Sequence, residues 1–126
     1  MTSDTGFTLR LPYPPSLNNL YATVQGRRVL SARGRQYHTE VAWLVRQTRQ
    51  GAPPLTGRLG FQMEVHRHDK RPCDLSNLVK VTEDAIAEGG GYGNDNQIDE
   101  LHVLRGALAR PAYILVTVWT KEESHV

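Results

Sequence analysis

The amino-acid sequence predicts an α+β domain in which two helices pack on a mixed β-sheet. Short segments of alternating apolar and polar residues occur near both ends and in the middle of the chain, as in β-strands. Between them lie two longer segments whose apolar residues recur at helical spacing. The 126 residues contain no internal repeat and no long linker. We therefore expect one small domain over residues 1–126, with an ordered core over residues 7–119.

The first quarter of the chain is expected to form one strand and one hairpin. Residues 7–11 alternate, and the prolines at positions 12, 14 and 15 end this strand and impose an extended, non-helical path. Residues 21–24 and 27–30 flank Gln25-Gly26, a two-residue turn that ends in glycine. This arrangement is typical of a β-hairpin.

Two helices and three more strands follow. Ser31 can cap the first helix, which ends before Gly51. The second helix is expected over residues 76–88, because the three glycines from position 89 onward stop it. The apolar face of this second helix consists of Leu75, Leu78, Val79, Thr82, Ala85 and Ile86. Strands are expected at residues 59–66, 101–108 and 113–119.

Composition argues against several classes of protein. No apolar run reaches the roughly 18 residues of a membrane-spanning helix, and the N-terminal residues do not resemble a secretory signal. Cys73 is the only cysteine, so no intrachain disulfide can form and the reducing cytoplasm is the expected compartment. No phosphate-binding glycine loop or dinucleotide fingerprint is present, so no small-molecule cofactor is expected. The net charge of +2 permits binding to nucleic acid without requiring it.

The second predicted helix carries the residues best suited to chemistry. A polar stripe with a spacing of three or four residues runs along it: Asp74, Asn77, Lys80 and Asp84. Asp95 follows in a loop rich in glycine and asparagine, which can return the chain to this stripe. Two carboxylates brought together can hold Mg²⁺, which polarises a scissile phosphate and generates a hydroxide nucleophile. A nearby lysine can offset negative charge on the transition state or on the leaving oxygen.

Each of these residues also has a purely structural interpretation. Asp74 can serve as the N-cap of the helix. Lys80 can form an i, i+4 ion pair with Asp84, worth about a few tenths of a kcal/mol. Asp95 can be an ordinary turn residue. The spacing by itself leaves both interpretations open.

Three segments of the chain resemble the RusA-type Holliday-junction resolvases, the crossover junction endodeoxyribonucleases. The opening segment Leu11-Pro-Tyr-Pro-Pro-Ser-Leu-Asn-Asn19 is similar to the start of that family. The family's central Asp-Leu-Asp-Asn-Leu-x-Lys corresponds to Asp74-Leu-Ser-Asn-Leu-Val-Lys80. Its later Asp-Asp-x-Gln-Val loop corresponds to Asn94-Asp-Asn-Gln-Ile98. The segments occur in the family's order, and the similarity extends over residues 7–119.

The resemblance implies a Mg²⁺-dependent, homodimeric endodeoxyribonuclease that resolves four-way DNA junctions by paired symmetric nicks, in recombination and repair. The family's acidic and lysine positions correspond to Asp74, Lys80 and Asp95, with the two aspartates as metal ligands. Asn77 corresponds to the family's asparagine beside the acidic pair. Contacts to DNA phosphates are expected from the basic residues before the helix, namely Arg67, Lys70 and Arg71. Weaker candidates for such contacts are Arg27, Arg28, Arg33 and Arg35.

Two positions depart from the family's pattern. Ser76 stands where the family has its second central aspartate, and Asn94 replaces the first aspartate of the later pair. Because a serine hydroxyl is neutral, its presence is expected to weaken Mg²⁺ binding, although Ser76 can support the site and help to cap the helix. Three other acids are candidates to replace the lost charge: Asp84, Asp99 and Glu100. The alternative function is therefore a catalytically attenuated, non-cleaving protein that binds DNA junctions.

Overall fold

The described chain contains six strands and three α-helices, one of them a single turn. Their order is β1 (Gly6–Pro12), α1 (Leu17–Leu20), β2 (Tyr21–Val24), β3 (Arg27–Leu30), α2 (Ala32–Arg49), β4 (Leu59–His66), α3 (Leu75–Glu88), β5 (Ile98–Arg105) and β6 (Tyr113–Thr120). A 3₁₀ turn, Asp95–Gln97, lies between α3 and β5. The computed structural model describes residues 5–71 and 75–121. Within those ranges, none of the helices combines the length and the apolar character needed to cross a membrane.

Four strands form one mixed sheet in the order β1-β6-β4-β5. Strand β6 pairs antiparallel with β1 and with β4, whereas β5 runs parallel to β4. The predicted α+β class with a mixed sheet is therefore confirmed. Two details differ from the prediction. Strand β5 begins and ends three residues earlier than the expected residues 101–108. The short helix α1 interrupts the extended path predicted after the prolines. Helix α1 forms because the carbonyl of Ser16 accepts the N–H groups of Asn19 and Leu20.

Helices α2 and α3 share one apolar core with the sheet. Strand residues such as Leu9, Met63 and Val116 are buried in the same cluster as Val41 of α2 and Ile86 of α3. The alternation of buried and more exposed residues along β1 and β6 reflects the two faces of a strand. The core therefore fixes which side of each helix faces the sheet.

The buried side of α3 largely follows the predicted apolar face. Its buried residues are Val79, Val81, Thr82, Ala85 and Ile86, whereas Leu75 and Leu78 are only half-buried. The opposite side, which includes Asn77 and Lys80, is exposed. Burial of one side against the core thus presents Asn77 and Lys80 to solvent.

The hairpin β2–β3 forms a separate two-stranded sheet with the predicted turn. Gln25 (φ 52°) and Gly26 (φ 74°) both adopt left-handed backbone conformations, as a type I′ turn requires. Ser31, the N-cap of α2, connects the hairpin to that helix. Its Oγ accepts a hydrogen bond of 3.0 Å from the N–H of Gly34 and donates to the carbonyl of Leu20 at 3.0 Å. A Cβ on Gly34 would lie 2.3 Å from that carbonyl oxygen, so only glycine permits this close approach.

Candidate active site

Lys80 lies between two carboxylates on the exposed side of α3. Its Nζ is 2.5 Å from Oδ2 of Asp95 and 3.2 Å from Oδ1 of Asp84. The hydrogen bond to Asp95, followed by that to Asp84, raises the pKa of the Lys80 ammonium, which is therefore charged at neutral pH. The Lys80 side chain is still 62% exposed, so an incoming phosphate can reach its charge. Both the i, i+4 pair and the return of Asp95 to the helix are present in the fold.

The turn that carries Asp95 is held by the side chain of Gln97. Oε1 of Gln97 accepts the backbone N–H groups of Gly93 and Asn94, each at 2.9 Å. Its Nε2 donates to two carbonyl oxygens of segment 55–57, at 3.1 and 3.0 Å. With the Asn94 side chain this forms a capping box at the 3₁₀ turn. Four hydrogen bonds to one side chain fix the loop relative to the strand that follows segment 55–57.

Tyr92 connects the same loop to α3. The ring is fully buried, and its hydroxyl donates to the carbonyl oxygen of Glu83 at 2.8 Å. Burial raises the pKa of Tyr92, so the phenol stays protonated and keeps this hydrogen bond. Tyr92 and Gln97 therefore place Asp95 next to Lys80 from two sides. Neither residue was expected at the site from the sequence, although a tyrosine inside a glycine-rich segment is a signal for such an anchor.

Glu83 is a third acid beside the site that the sequence analysis did not single out. It is half-buried at the border between the polar stripe and the apolar face of α3. Burial raises the pKa of Glu83 to about 7, and the negative charge of Asp95 contributes to the rise while Lys80 opposes it. The site therefore contains an acid that changes its charge near neutral pH.

The remaining predicted site residues are distributed over the first turn of α3 and the segment before it. Asn77 is exposed one turn before Lys80 and on the same side of the helix. Ser76 is exposed as the second residue of α3. Because the helix begins at Leu75, Ser76 lies within its first turn, and its part in capping the helix stays a prediction. Asp74 lies outside the described residues, so its place beside Asp95 stays a prediction.

Of the three acids considered as replacements for the missing aspartate, only Asp84 is at the site. Asp99 pairs through both carboxylate oxygens with Arg58, which lowers the pKa of Asp99. Glu100 binds His102 and Lys121 at 2.7 and 3.1 Å. Asp84 is eight residues beyond Ser76, about 12 Å along the helix axis, so it cannot occupy the same position as the lost acid.

The basic loop before α3 divides into a structural and an exposed part. Arg67 is half-buried and donates to the carbonyl of Arg71 at 2.6 Å, which closes the loop. Asp69 accepts the backbone N–H of Arg71, which lowers the pKa of Asp69, and also pairs with the Arg71 side chain at 3.1 Å. The side chain of Arg71 is 83% exposed and Lys70 is exposed as well. Lys70 and Arg71 can thus be reached by a ligand, although Arg71 also pairs with Asp69, whereas the half-buried Arg67 holds the loop closed.

The donors at the site suit a hard divalent cation. Asp84 and Asp95 contribute carboxylate oxygens, which Mg²⁺ prefers while it keeps several of its waters. Over residues 5–71 and 75–121, however, no three side chains of His, Cys, Asp or Glu are arranged to hold a metal ion. A cation at Asp95 would therefore need few protein ligands or the help of Asp74.

The fold and the site together define a small α+β protein that presents a lysine between paired acids, an arrangement suited to a phosphodiester. The family model described as Endodeoxyribonuclease RusA matches residues 12–118, and the chain belongs to this family. The match includes every element from α1 to β5 and most of β6.

Individual relatives share this similarity over most of their length. A crossover junction endodeoxyribonuclease RusA of Escherichia coli (strain K12) is 29% identical over 112 residues, which are 89% of this chain and 92% of the relative. The corresponding protein of Enterobacteria phage 82 has the same identity and coverage. That of Enterobacteria phage HK97 is 31% identical over 96 residues, which are 76% of this chain and 79% of the relative.

Proposed function

We propose that the chain is a Mg²⁺-dependent, structure-selective endodeoxyribonuclease that resolves four-way DNA junctions by paired symmetric nicks. Its relatives are named crossover junction endodeoxyribonucleases, and it matches them over most of their length. The observation that carries the proposal is the 2.5 Å contact between Lys80 and Asp95. It brings a cation and an acid to one point on an exposed helix face, where a scissile phosphate can meet both.

Lys80 acts on the phosphate by electrostatics. An incoming phosphate oxygen takes over one of the hydrogen bonds that the ammonium gives to Asp84 or Asp95. The fixed positive charge then offsets the negative charge that grows on the phosphate oxygens in the transition state. The other carboxylate partner keeps the ammonium in place. Lys80 remains charged throughout, because both partners raise its pKa.

Asp95 and Asp74 are the proposed metal ligands, with Asn77 and Ser76 in supporting positions. When bound, a divalent cation supplies charge neutralisation at the phosphate and activates water for hydrolysis. Asn77 can donate its amide N–H to a phosphate oxygen from the helix face that carries Lys80. The hydroxyl of Ser76 offers a neutral oxygen at the first turn of the helix.

DNA binding is proposed to begin at the basic loop before α3. Lys70 and Arg71 are exposed there, and phosphate contacts of this kind position DNA without reading its sequence. Arg67 contributes by closing the loop through the Arg71 carbonyl. No small-molecule cofactor is part of the proposal, and the cytoplasm is the expected compartment.

A homodimer is proposed because two symmetric cuts need two active sites related by a twofold axis. Large apolar side chains that are about half exposed lie on and after the edge strand β5, namely Leu101, Leu104 and Leu108. Such residues on a sheet edge are suited to contact a second copy. Light scattering tests this, and a Leu104→Glu variant is expected to shift a dimeric mass toward the monomer.

A second function is favoured by one observation, the neutral Ser76 at the family's second aspartate position. With one carboxylate fewer, the protein would hold the metal too weakly to cleave and would act by binding junctions. Such a protein keeps salt-dependent affinity for the junction but gives no nicks at any Mg²⁺ concentration.

Cleavage of an end-labelled synthetic four-way junction distinguishes the two functions. The junction is compared with linear duplex, with Mg²⁺ and with a chelator, for the wild type, Asp95→Asn and Asp99→Asn. Asp99→Asn is the matched control, since Asp99 is paired with Arg58 away from Lys80. We expect symmetric, Mg²⁺-dependent nicks in the junction for the wild type and Asp99→Asn only. Tight junction binding without nicks would support the second function, and absence of binding would contradict both.

A further inference from the structure

A groove runs between the hairpin β2–β3 and the polar side of α3. Its volume is about 390 Å³, and its lining residues are Tyr21, Arg28, Asn77, Lys80, Val81 and Asp84. The hairpin thus forms one wall and the helix with the proposed active-site lysine forms the other. A volume of this size is in the range of sites that take one small ligand. The groove therefore has room for a small group such as a backbone phosphate.

Arg28 is held on the hairpin wall by an aromatic ring. Its guanidinium carbon lies 4.1 Å from the centre of the Tyr21 ring, which is a cation–π distance. Stacking uses the face of the guanidinium and leaves the N–H donors around its edge for a ligand. Within the ranges that the structure describes, Arg28 forms no ion pair with a carboxylate. Its charge and its donors are therefore available, and the ring limits the orientations that they can take.

The nearby cations differ from Arg28 either in their partners or in the direction in which they point. Lys80 already binds two carboxylates. Arg27, the adjacent arginine, pairs with Val24 across the hairpin and points to its opposite face, because side chains alternate along a strand. Arg35, a further candidate from the sequence, donates to the carbonyl of Leu30 at 2.8 Å. The groove thus contains one cation paired with acids and one that is not.

We propose that Arg28, stacked on Tyr21, binds a backbone phosphate of the DNA strand that is being cut, next to the phosphate at Lys80. This inference rests on the proposed nuclease function and adds a strand-binding residue on a second element. The guanidinium edge presents two parallel N–H donors, which match two oxygens of a phosphodiester. Because the contact is to phosphate, it positions the strand in the groove without sequence preference. Tyr21 is a positioning residue that keeps the guanidinium in this orientation.

The test combines protein variants with modified DNA. Junction affinity is measured in chelator, and cleavage in Mg²⁺, for the wild type, Arg28→Ala, Arg28→Lys and the matched control Arg27→Ala. We expect Arg28→Ala to weaken affinity and cleavage roughly tenfold and to reduce the slope of log K against log salt by about one. The affinity and cleavage of Arg28→Lys should lie between those of the wild type and Arg28→Ala, because lysine keeps the charge but lacks the paired donors. In Arg27→Ala, junction affinity and cleavage should fall by about threefold at most, because only a general electrostatic attraction to DNA is lost.

Neutral methylphosphonate linkages placed one at a time around the cut site identify the phosphate involved. At one linkage adjacent to the scissile one, the neutral substitution should lower the junction affinity of the wild type and of Arg27→Ala. It should not change the affinity of Arg28→Ala, because the contact is already absent there, as in a double-mutant cycle. Equal sensitivity of the wild type and Arg28→Ala at every linkage would overturn the inference while leaving the nuclease function intact. Failure of the wild type to bind the junction would overturn both. Circular dichroism of Arg28→Ala and of Arg28→Lys shows whether a loss of affinity reflects the lost contact or a loss of folding.

Discussion

The Nζ of Lys80 lies 2.5 Å from Oδ2 of Asp95, although fifteen positions separate the two residues in the chain. The contact requires the glycine-rich segment to turn back at the end of α3 and the 3₁₀ turn to point toward the helix. Tyr92 and Gln97 hold that path by hydrogen bonds to α3 and to segment 55–57. The geometry of the proposed active site therefore depends on residues that do not themselves contact the substrate.

Removal of the ammonium of Lys80 is expected to abolish most cleavage. Lys80→Met keeps the length of the side chain but removes the charge that offsets the transition state, so cleavage should fall on the order of 10²–10³-fold. Junction affinity in chelator should fall much less, because a single cation is lost. Lys121→Met is the control, since Lys121 pairs with Glu100 instead. Single-turnover cleavage rates measure the effect, and a loss equal to that of Lys121→Met would contradict the role of Lys80.

Restoration of an acid at position 76 is expected to raise activity at limiting metal. Ser76→Asp adds a carboxylate at the first turn of α3, where the helix dipole also favours negative charge. The Mg²⁺ concentration for half-maximal cleavage should decrease, and the thermal midpoint should not fall. Ser76→Asn is the control, because asparagine has about the size of aspartate but carries no charge. An unchanged metal requirement in Ser76→Asp would show that the serine already suffices.

Loss of the Gln97 amide is expected to release the turn that carries Asp95. Gln97→Glu retains the acceptors for two N–H groups but places a carboxylate against two carbonyl oxygens in segment 55–57. Stability should fall by about 1–3 kcal/mol. The cleavage rate at saturating DNA should fall as well, while binding in chelator is largely kept.

Asn96→Ala is the control for this change, because Asn96 lies in the same turn with an exposed side chain. Urea unfolding measures the stability and single-turnover kinetics measure the rate. Full activity of Gln97→Glu would show that the turn does not depend on this side chain.

Glu83 is expected to make stability depend on pH. Its folded pKa is raised to about 7, above the value in an unfolded chain, so the folded state favours its protonated form. The stabilisation from that proton is complete below the unfolded pKa and is lost as pH rises through about 7. Between about pH 5 and about pH 8, the free energy of unfolding of Glu83→Gln should therefore rise relative to the wild type.

Urea unfolding in chelator at the two pH values measures this difference. Glu40→Gln, on the exposed side of α2, is the control for the loss of a surface carboxylate. A pH dependence that is the same in Glu83→Gln and in the wild type would show that the Glu83 carboxyl is ionised throughout the range.

Local patterns predicted most of the elements. The Gln25-Gly26 turn, the Ser31 cap and strand β4 occur as predicted, because turn chemistry, capping and alternation act within a few residues. The start of β5 and the presence of helix α1 were not predicted from local patterns. Strand β5 begins directly after the 3₁₀ turn, whose geometry depends on Gln97 bonding to a distant segment. Helix α1 is a single turn closed by Ser16. A helix this short has no periodic apolar pattern by which it could be predicted.

The sequence by itself determined the α+β class, the hairpin, and a helix that buries one side and exposes Asn77 and Lys80 on the other. These features follow from periodicity along a continuous segment. Only the tertiary structure decided that Asp95 and Asp84 share Lys80, that Glu83 is half-buried beside them, and that Arg28 rather than Arg27 faces the groove. Such relationships arise where separate segments pack together, and packing depends on how the whole core is filled rather than on the spacing of residues in one element.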